Sequence, residues 1–131
     1  MFSGRYIIYE PNGKGREYDG FDDSLKYEGE SKNGERNGKG KEYKGNDDSL
    51  IYEGEYKNGE RNGKGKEYDI GELRFEGEYL NGKRNGKGKA YYKDKLIFEG
   101  EYLYGKQLEG KVYDEQGNII YELKNINGKG K

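Results

Sequence analysis

Catalysis needs a nucleophile, a tuned acid or base, or a set of metal ligands, and this chain is poor in all three. It has no Cys and no His. That removes the thiolate, the commonest zinc ligand and the commonest general base at neutral pH. Thr is also absent, and the only hydroxyl nucleophiles besides Tyr are Ser3, Ser24, Ser31 and Ser49. Paired carboxylates hydrolyse glycosides in other proteins. Here Glu53 and Glu55 return in the same slots of several units, which suits a solvated face better than one unique site. GERNGKGK (34–41 and 59–66) has the look of a phosphate-cradling loop, but its spacing is wrong and no Ser, Thr or helix follows the Lys. The pairs Asp22-Asp23 and Asp47-Asp48 lack further oxygen ligands at calcium-site spacing and read as turn formers. The residues therefore predict a non-catalytic chain with no cofactor and no metal.

Two other patterns bear on binding. Arg36, Lys39 and Lys41 recur as Arg61, Lys64 and Lys66, and again as Arg84, Lys87 and Lys89. Stacked as a ladder, these columns would touch anionic head groups at about 1 kcal/mol per residue near a membrane. Equally regular Glu columns and a formal net charge of -1 oppose them and speak against nucleic acid as a partner. The second pattern is aromatic. Fifteen of the 19 Tyr and Phe fall in fixed slots. An opening ring recurs as Phe2, Tyr27, Tyr52, Phe75, Phe98 and Tyr121. A second stands four residues on as Tyr6, Tyr56, Tyr79 and Tyr102, and a late one as Tyr18, Tyr43, Tyr68, Tyr91 and Tyr113.

These slots define the elements that carry them. Divided before each opening ring, the 131 residues form one repeat domain (1–131) of five units, 2–26, 27–51, 52–74, 75–97 and 98–120, and a partial sixth, 121–131. The period is 25 residues twice and then 23, the difference lying in the loops GFDDSL and GNDDSL. Leu, opening ring, Gly and Tyr sit at i, i+2, i+4 and i+6, which places them on one face of an extended strand and the Glu residues on the other. Asn-Gly pairs follow, such as Asn58-Gly59 and Asn62-Gly63, the strongest short-range hairpin signal. A second strand such as GKGKEY (63–68) then returns, with Gly63 and Gly65 leaving room for rings. Lys64 and Lys66 would share the Glu face and pair with Glu53 and Glu55. Strict alternation puts Tyr68 on that charged face, so a bulge or twist is expected before it. A lone hairpin buries too little to order itself, so neighbouring units must stack. A mean hydropathy of -1.42 would suit disorder, but the balanced charge and regular aromatics oppose it.

FEGEYLNGKRNGKGKAY (75–91) and YEGEYKNGERNGKGKEY (52–68) resemble MORN repeats, with their [YF]-x-G-x-[YW]-x-x-G-x-x-x-G-x-G core. The resemblance implies an all-β fold, an elongated and twisted single-layer antiparallel sheet of tandem β-hairpins with a groove lined by aromatics. MORN arrays occur in cytoskeletal scaffolds, in junctional proteins and beside catalytic domains such as lipid kinases and methyltransferases. They mediate protein contacts and self-association, and lipid binding has been proposed for them. The departures are Tyr9 and Pro11 around the first turn, Ser31 in the second ring slot, one residue lost before Gly110, Leu123 and Asn125 in the last unit, and no Trp.

No amphipathic helix is encoded to cover the ring face, so the rings are expected to be partly exposed, as an interaction surface is. The leading expectation is a protein-interaction or scaffolding module, with self-association as an added option, whose partner groove is Tyr27, Tyr52, Tyr56, Phe75, Tyr79, Phe98 and Tyr102. Open end strands offer edge pairing as a second route. The alternative is a phosphoinositide or anionic-membrane surface read by the nine Arg and Lys of the basic columns, and a third is a surface protein stacking sugars on Tyr. MFSGRYIIYE lacks the basic start and apolar run of a signal peptide, and no stretch nears the roughly 20 apolar residues of a membrane span. A cytoplasmic protein is expected, at a membrane or the cytoskeleton in either leading reading. The array stops inside a repeat, as a piece of a longer protein would.

Overall fold

The computed structural model describes residues 4–10, 12–45 and 48–125. Phe2, Ser3, Pro11, Asp47 and the last part of the sixth unit (126–131) lie outside the described residues. Eleven strands follow one another in chain order: β1 (Arg5–Tyr9), β2 (Lys14–Asp19), β3 (Leu25–Lys32), β4 (Glu35–Lys44), β5 (Ser49–Lys57), β6 (Glu60–Asp69), β7 (Glu72–Leu80), β8 (Lys83–Tyr92), β9 (Lys95–Leu103), β10 (Lys106–Tyr113) and β11 (Ile119–Leu123). Each pairs antiparallel with the next, so the fold is one open sheet in hairpin order, as the periodicity predicts.

The two Asn-Gly pairs of the second, third and fourth units do different jobs. Asn58-Gly59 is the hairpin turn, with both residues at positive φ (51° and 87°), as a tight β-hairpin loop requires. Asn62-Gly63 lies inside β6. Asn62 Oδ1 accepts the N–H of Asn81 at 3.5 Å in the next unit's turn, and Gly82 N donates to Arg61 O at 2.9 Å. Gly63 takes a φ of 96° where the register between β5 and β6 slips. A Cβ there would meet the Glu55 carboxylate rather than a ring. The expected room for a ring is found at Gly65 alone, whose missing Cβ is replaced by the Tyr52 ring.

The bulge expected before Tyr68 is present, since the β6–β7 register shifts between Glu67 and Tyr68. Its effect differs from the expectation. Tyr68 stands opposite Leu73, while Glu67 stands opposite Phe75, with Arg74 unmatched between them. Leu25, Leu50, Leu73 and Leu96 thus pair with the late tyrosines and stay outside the buried core. Alternation is broken between the Leu slot and the ring slot, which is why the four-residue face read from the sequence loses its Leu.

A line of glycines crosses the sheet at right angles to the strands. Gly15, Gly29, Gly40, Gly54, Gly65, Gly77, Gly88, Gly100 and Gly110 stand opposite one another in successive pairs. On one side of this line the rings lie over bare backbone. On the other, the residues flanking each Gly are Lys, Glu or, beside Gly15, Arg16.

Candidate functional site

The seven residues expected to line an open groove are instead the core. Tyr27, Tyr52, Phe75 and Phe98 are at most 2% exposed, and Tyr56, Tyr79 and Tyr102 at most 4%. They form one zigzag, Tyr27–Tyr56–Tyr52–Tyr79–Phe75–Tyr102–Phe98, with centroids 5.1–5.7 Å apart and planes 81–88° apart. Every contact is edge to face, the geometry that sets the positive rim of one ring against the negative face of the next. In a single layer with no helix among the described residues, the rings cover one another.

Their outer cover comes from the basic columns, which the fold splits between the two faces. Arg61 is in register with Tyr56 on the ring side. Its guanidinium carbon lies 4.2 Å from the Tyr52 centroid, where a cation meets the negative ring face. Arg36 covers Tyr27 at 4.7 Å and Arg84 covers Phe75 at 4.1 Å. Each guanidinium grips a carboxylate of the preceding unit with two hydrogen bonds. Arg36 donates to Glu17 (2.9 and 3.0 Å), Arg61 to Glu42 (2.9 and 3.2 Å) and Arg84 to Glu67 (2.9 Å twice). The hydroxyl of Tyr56 also donates to Glu42, at 2.7 Å, and that of Tyr79 to Glu67. In the first rung Ser31 replaces the tyrosine, and Arg5 supplies the extra donor to Glu17 at 2.8 Å.

These rungs set the charges. Burial raises Glu42 and Glu67, but the hydrogen bonds and charges of Arg and Tyr outweigh it and hold both below the ordinary carboxylate range. Burial, then the bond to Glu, raises the hydroxyls of Tyr56 and Tyr79 well above their ordinary value. Tyr27, desolvated without a carboxylate partner, is raised to about 12. Glu17, Glu42 and Glu67 were not among the expected site residues, although the recurring Glu before the late Tyr is visible in the sequence.

One rung is missing. Ala90 stands opposite Phe98 as Glu67 stands opposite Phe75, and Gln107 stands opposite Tyr102 as Arg84 stands opposite Tyr79. Both charged partners are gone together. The Tyr102 hydroxyl is buried there with no hydrogen-bond partner among the described residues.

On the opposite face lies a trough of about 1130 Å3, lined by eight cationic and eight anionic side chains along the glycine line. Lys39, Lys41, Lys64, Lys66, Lys87 and Lys89 are found here, away from the arginines. One wall is an unbroken cross-strand alternation: Glu28, Lys41, Glu53, Lys66, Glu76, Lys89, Glu99, each opposite the next. The expected Lys–Glu register is thus present, but the expected ion pairs are not. Among the described residues no ammonium of these six lysines has a hydrogen bond or ion pair, and all six are exposed.

The carboxylates are held elsewhere. Glu28, Glu53 and Glu76 accept the hydroxyls of Tyr43, Tyr68 and Tyr91 at 2.6–2.7 Å. Burial and those bonds raise the three hydroxyls to about 12. Glu30, Glu55 and Glu78 accept the backbone N–H of Lys39, Lys64 and Lys87 at 3.0–3.3 Å. Among the described residues no group of three or more acidic side chains is placed to hold a metal ion. Nor, among the described residues, is any helix long and apolar enough to cross a membrane.

A model of the MORN repeat family matches residues 27–49, 52–71 and 75–96. No curated protein matches the chain.

Proposed function

The chain belongs to the MORN-repeat family, whose repeats generally form non-catalytic modules that bind proteins or membranes, and from that premise we propose that it is a scaffolding module docking a partner protein along the Lys–Glu trough. The observation that carries this reading is the division of labour between the faces. The rings are buried and each Arg of the ring-face rungs is committed to a Glu, whereas the trough presents seven exposed ammoniums, the six above and Lys14, that are unpaired among the described residues. A surface that has satisfied its own groups has little to offer a partner, and unpaired groups do.

The anionic-membrane reading keeps the lysines as its supporting observation but loses Arg36, Arg61 and Arg84 to the ring face. One experiment separates the two. The purified chain and a Lys64→Gln/Lys66→Gln/Lys87→Gln variant are incubated with a lysate of the encoding organism, and in parallel with phosphatidylserine vesicles. Retention of one protein by the natural chain, lost in the variant, supports protein docking. Lys-dependent vesicle flotation with no retained protein replaces it with membrane binding.

A further inference from the structure

Resting on the trough as the docking face, we infer that its partner is an acidic segment of another protein whose carboxylates recur about every 10 Å. The trough is formally neutral, but its two signs are not equally available. Glu53, Glu55 and Glu76 are half-buried and drawn down to a tyrosine hydroxyl or a backbone N–H. The lysines among them are exposed and hold no partner among the described residues. Over these carboxylates a ligand approaching from solvent meets the ammoniums first; the trough differs at its last strand, where Glu99 is exposed and neither it nor Glu101 has a donor among the described residues.

Spacing sets the selectivity. Lysines of one wall, such as Lys41, Lys66 and Lys89, are separated by one glutamate strand each. Two strand steps are roughly 9.6 Å. A flat anionic surface cannot choose between interleaved signs and meets as many carboxylates as ammoniums. A segment with acidic groups at that interval meets only ammoniums. A helix repeating Glu every seventh residue rises about 10.5 Å per repeat, within about 10% of the trough.

The test uses the full chain and three labelled peptides of about 20 residues in an Ala/Gln helical background. One carries Glu at every seventh position, one Lys at the same positions, and one the same Glu content irregularly spaced. Binding is read by fluorescence anisotropy, with phosphatidylserine vesicles as a fourth probe. The regular Glu peptide is expected to bind and to weaken as salt rises. It should lose about tenfold in affinity to a Lys41→Gln/Lys64→Gln/Lys66→Gln/Lys87→Gln variant whose melting is unchanged. Equal binding of the irregular peptide overturns the spacing. Preference for the Lys peptide, lost on Glu→Gln changes in the trough, overturns the acidic partner and leaves trough docking standing. Peptide binding untouched by either set of trough variants overturns both. Vesicle binding without peptide binding, or no binding of any probe, overturns the acidic segment.

Discussion

Ala90→Glu together with Gln107→Arg should rebuild the missing rung, and neither change should do so alone. The two positions occupy the same register as Glu67 and Arg84, so the new carboxylate would face the orphaned Tyr102 hydroxyl and the new guanidinium would lie over Phe98. A buried hydroxyl without a partner costs about 1–3 kcal/mol, and a hydrogen bond to a charged group returns about 1.5–3. The Ala90→Glu change alone would introduce a half-desolvated charge with one donor, for a loss of about 1–3 kcal/mol. The Gln107→Arg change alone would add only a ring contact, leaving stability within about 0.5 kcal/mol of the natural chain. Desolvating both charges takes back part of the gain in the double variant, leaving a favourable coupling of about 2 kcal/mol. Urea denaturation of the four proteins, followed by far-ultraviolet circular dichroism, gives that coupling directly as a double-mutant cycle. Additive changes, with coupling below about 0.5 kcal/mol, would refute the claim that Glu and Arg work as one rung.

Three further outcomes follow from the same geometry. Gly54→Ala would set a Cβ 2.5 Å from the backbone at Gly65 Cα and Lys64 O; parting two strands should cost about 3 kcal/mol or more in the same denaturation assay. Glu42 and Glu67 have folded pKa values below their unfolded ones, so their contribution is present above the unfolded value, near about 4.3, and is lost as pH falls through the lower folded value. The melting temperature should therefore drop in acid below about pH 4.5, and a Glu42→Gln/Glu67→Gln variant should show a shallower acid dependence. Tyr104 holds a φ of 48° in the turn slot that Asn33, Asn58 and Asn81 fill elsewhere, and is 65% exposed. Tyr104→Asn should stabilise by about 0.5–1 kcal/mol in urea melts, since Asn tolerates that conformation better.

The hairpin ladder was legible because period, Asn-Gly turns and alternation all point to it. The ring row was legible too, but its accessibility was not. Burial of Tyr52 depends on Tyr56 in its own strand, Tyr79 in the next unit and Arg61 above it, contacts that hydropathy cannot weigh. The basic columns mislead because their shared period presents Arg61 and Lys64 as one ladder. They are an odd number of residues apart, and alternation alone would have sent them to opposite faces. The Glu–Arg rung joins residues 17–19 positions apart, and its clue was the paired loss at Ala90 and Gln107. The bulge at Arg74 was anticipated as an irregularity, but which residues it would expel depended on register.

Docking through the trough is tested most directly by lysine footprinting. The chain, alone and with the partner it retains from the lysate, is reductively methylated, and the rate at each lysine is read by mass spectrometry. Lys39, Lys41, Lys64, Lys66, Lys87 and Lys89 should be protected in the complex, while Lys57, Lys83 and Lys93, which do not line the trough, keep their rates. Protection confined to those outer lysines, with the six trough lysines unchanged, would contradict the account.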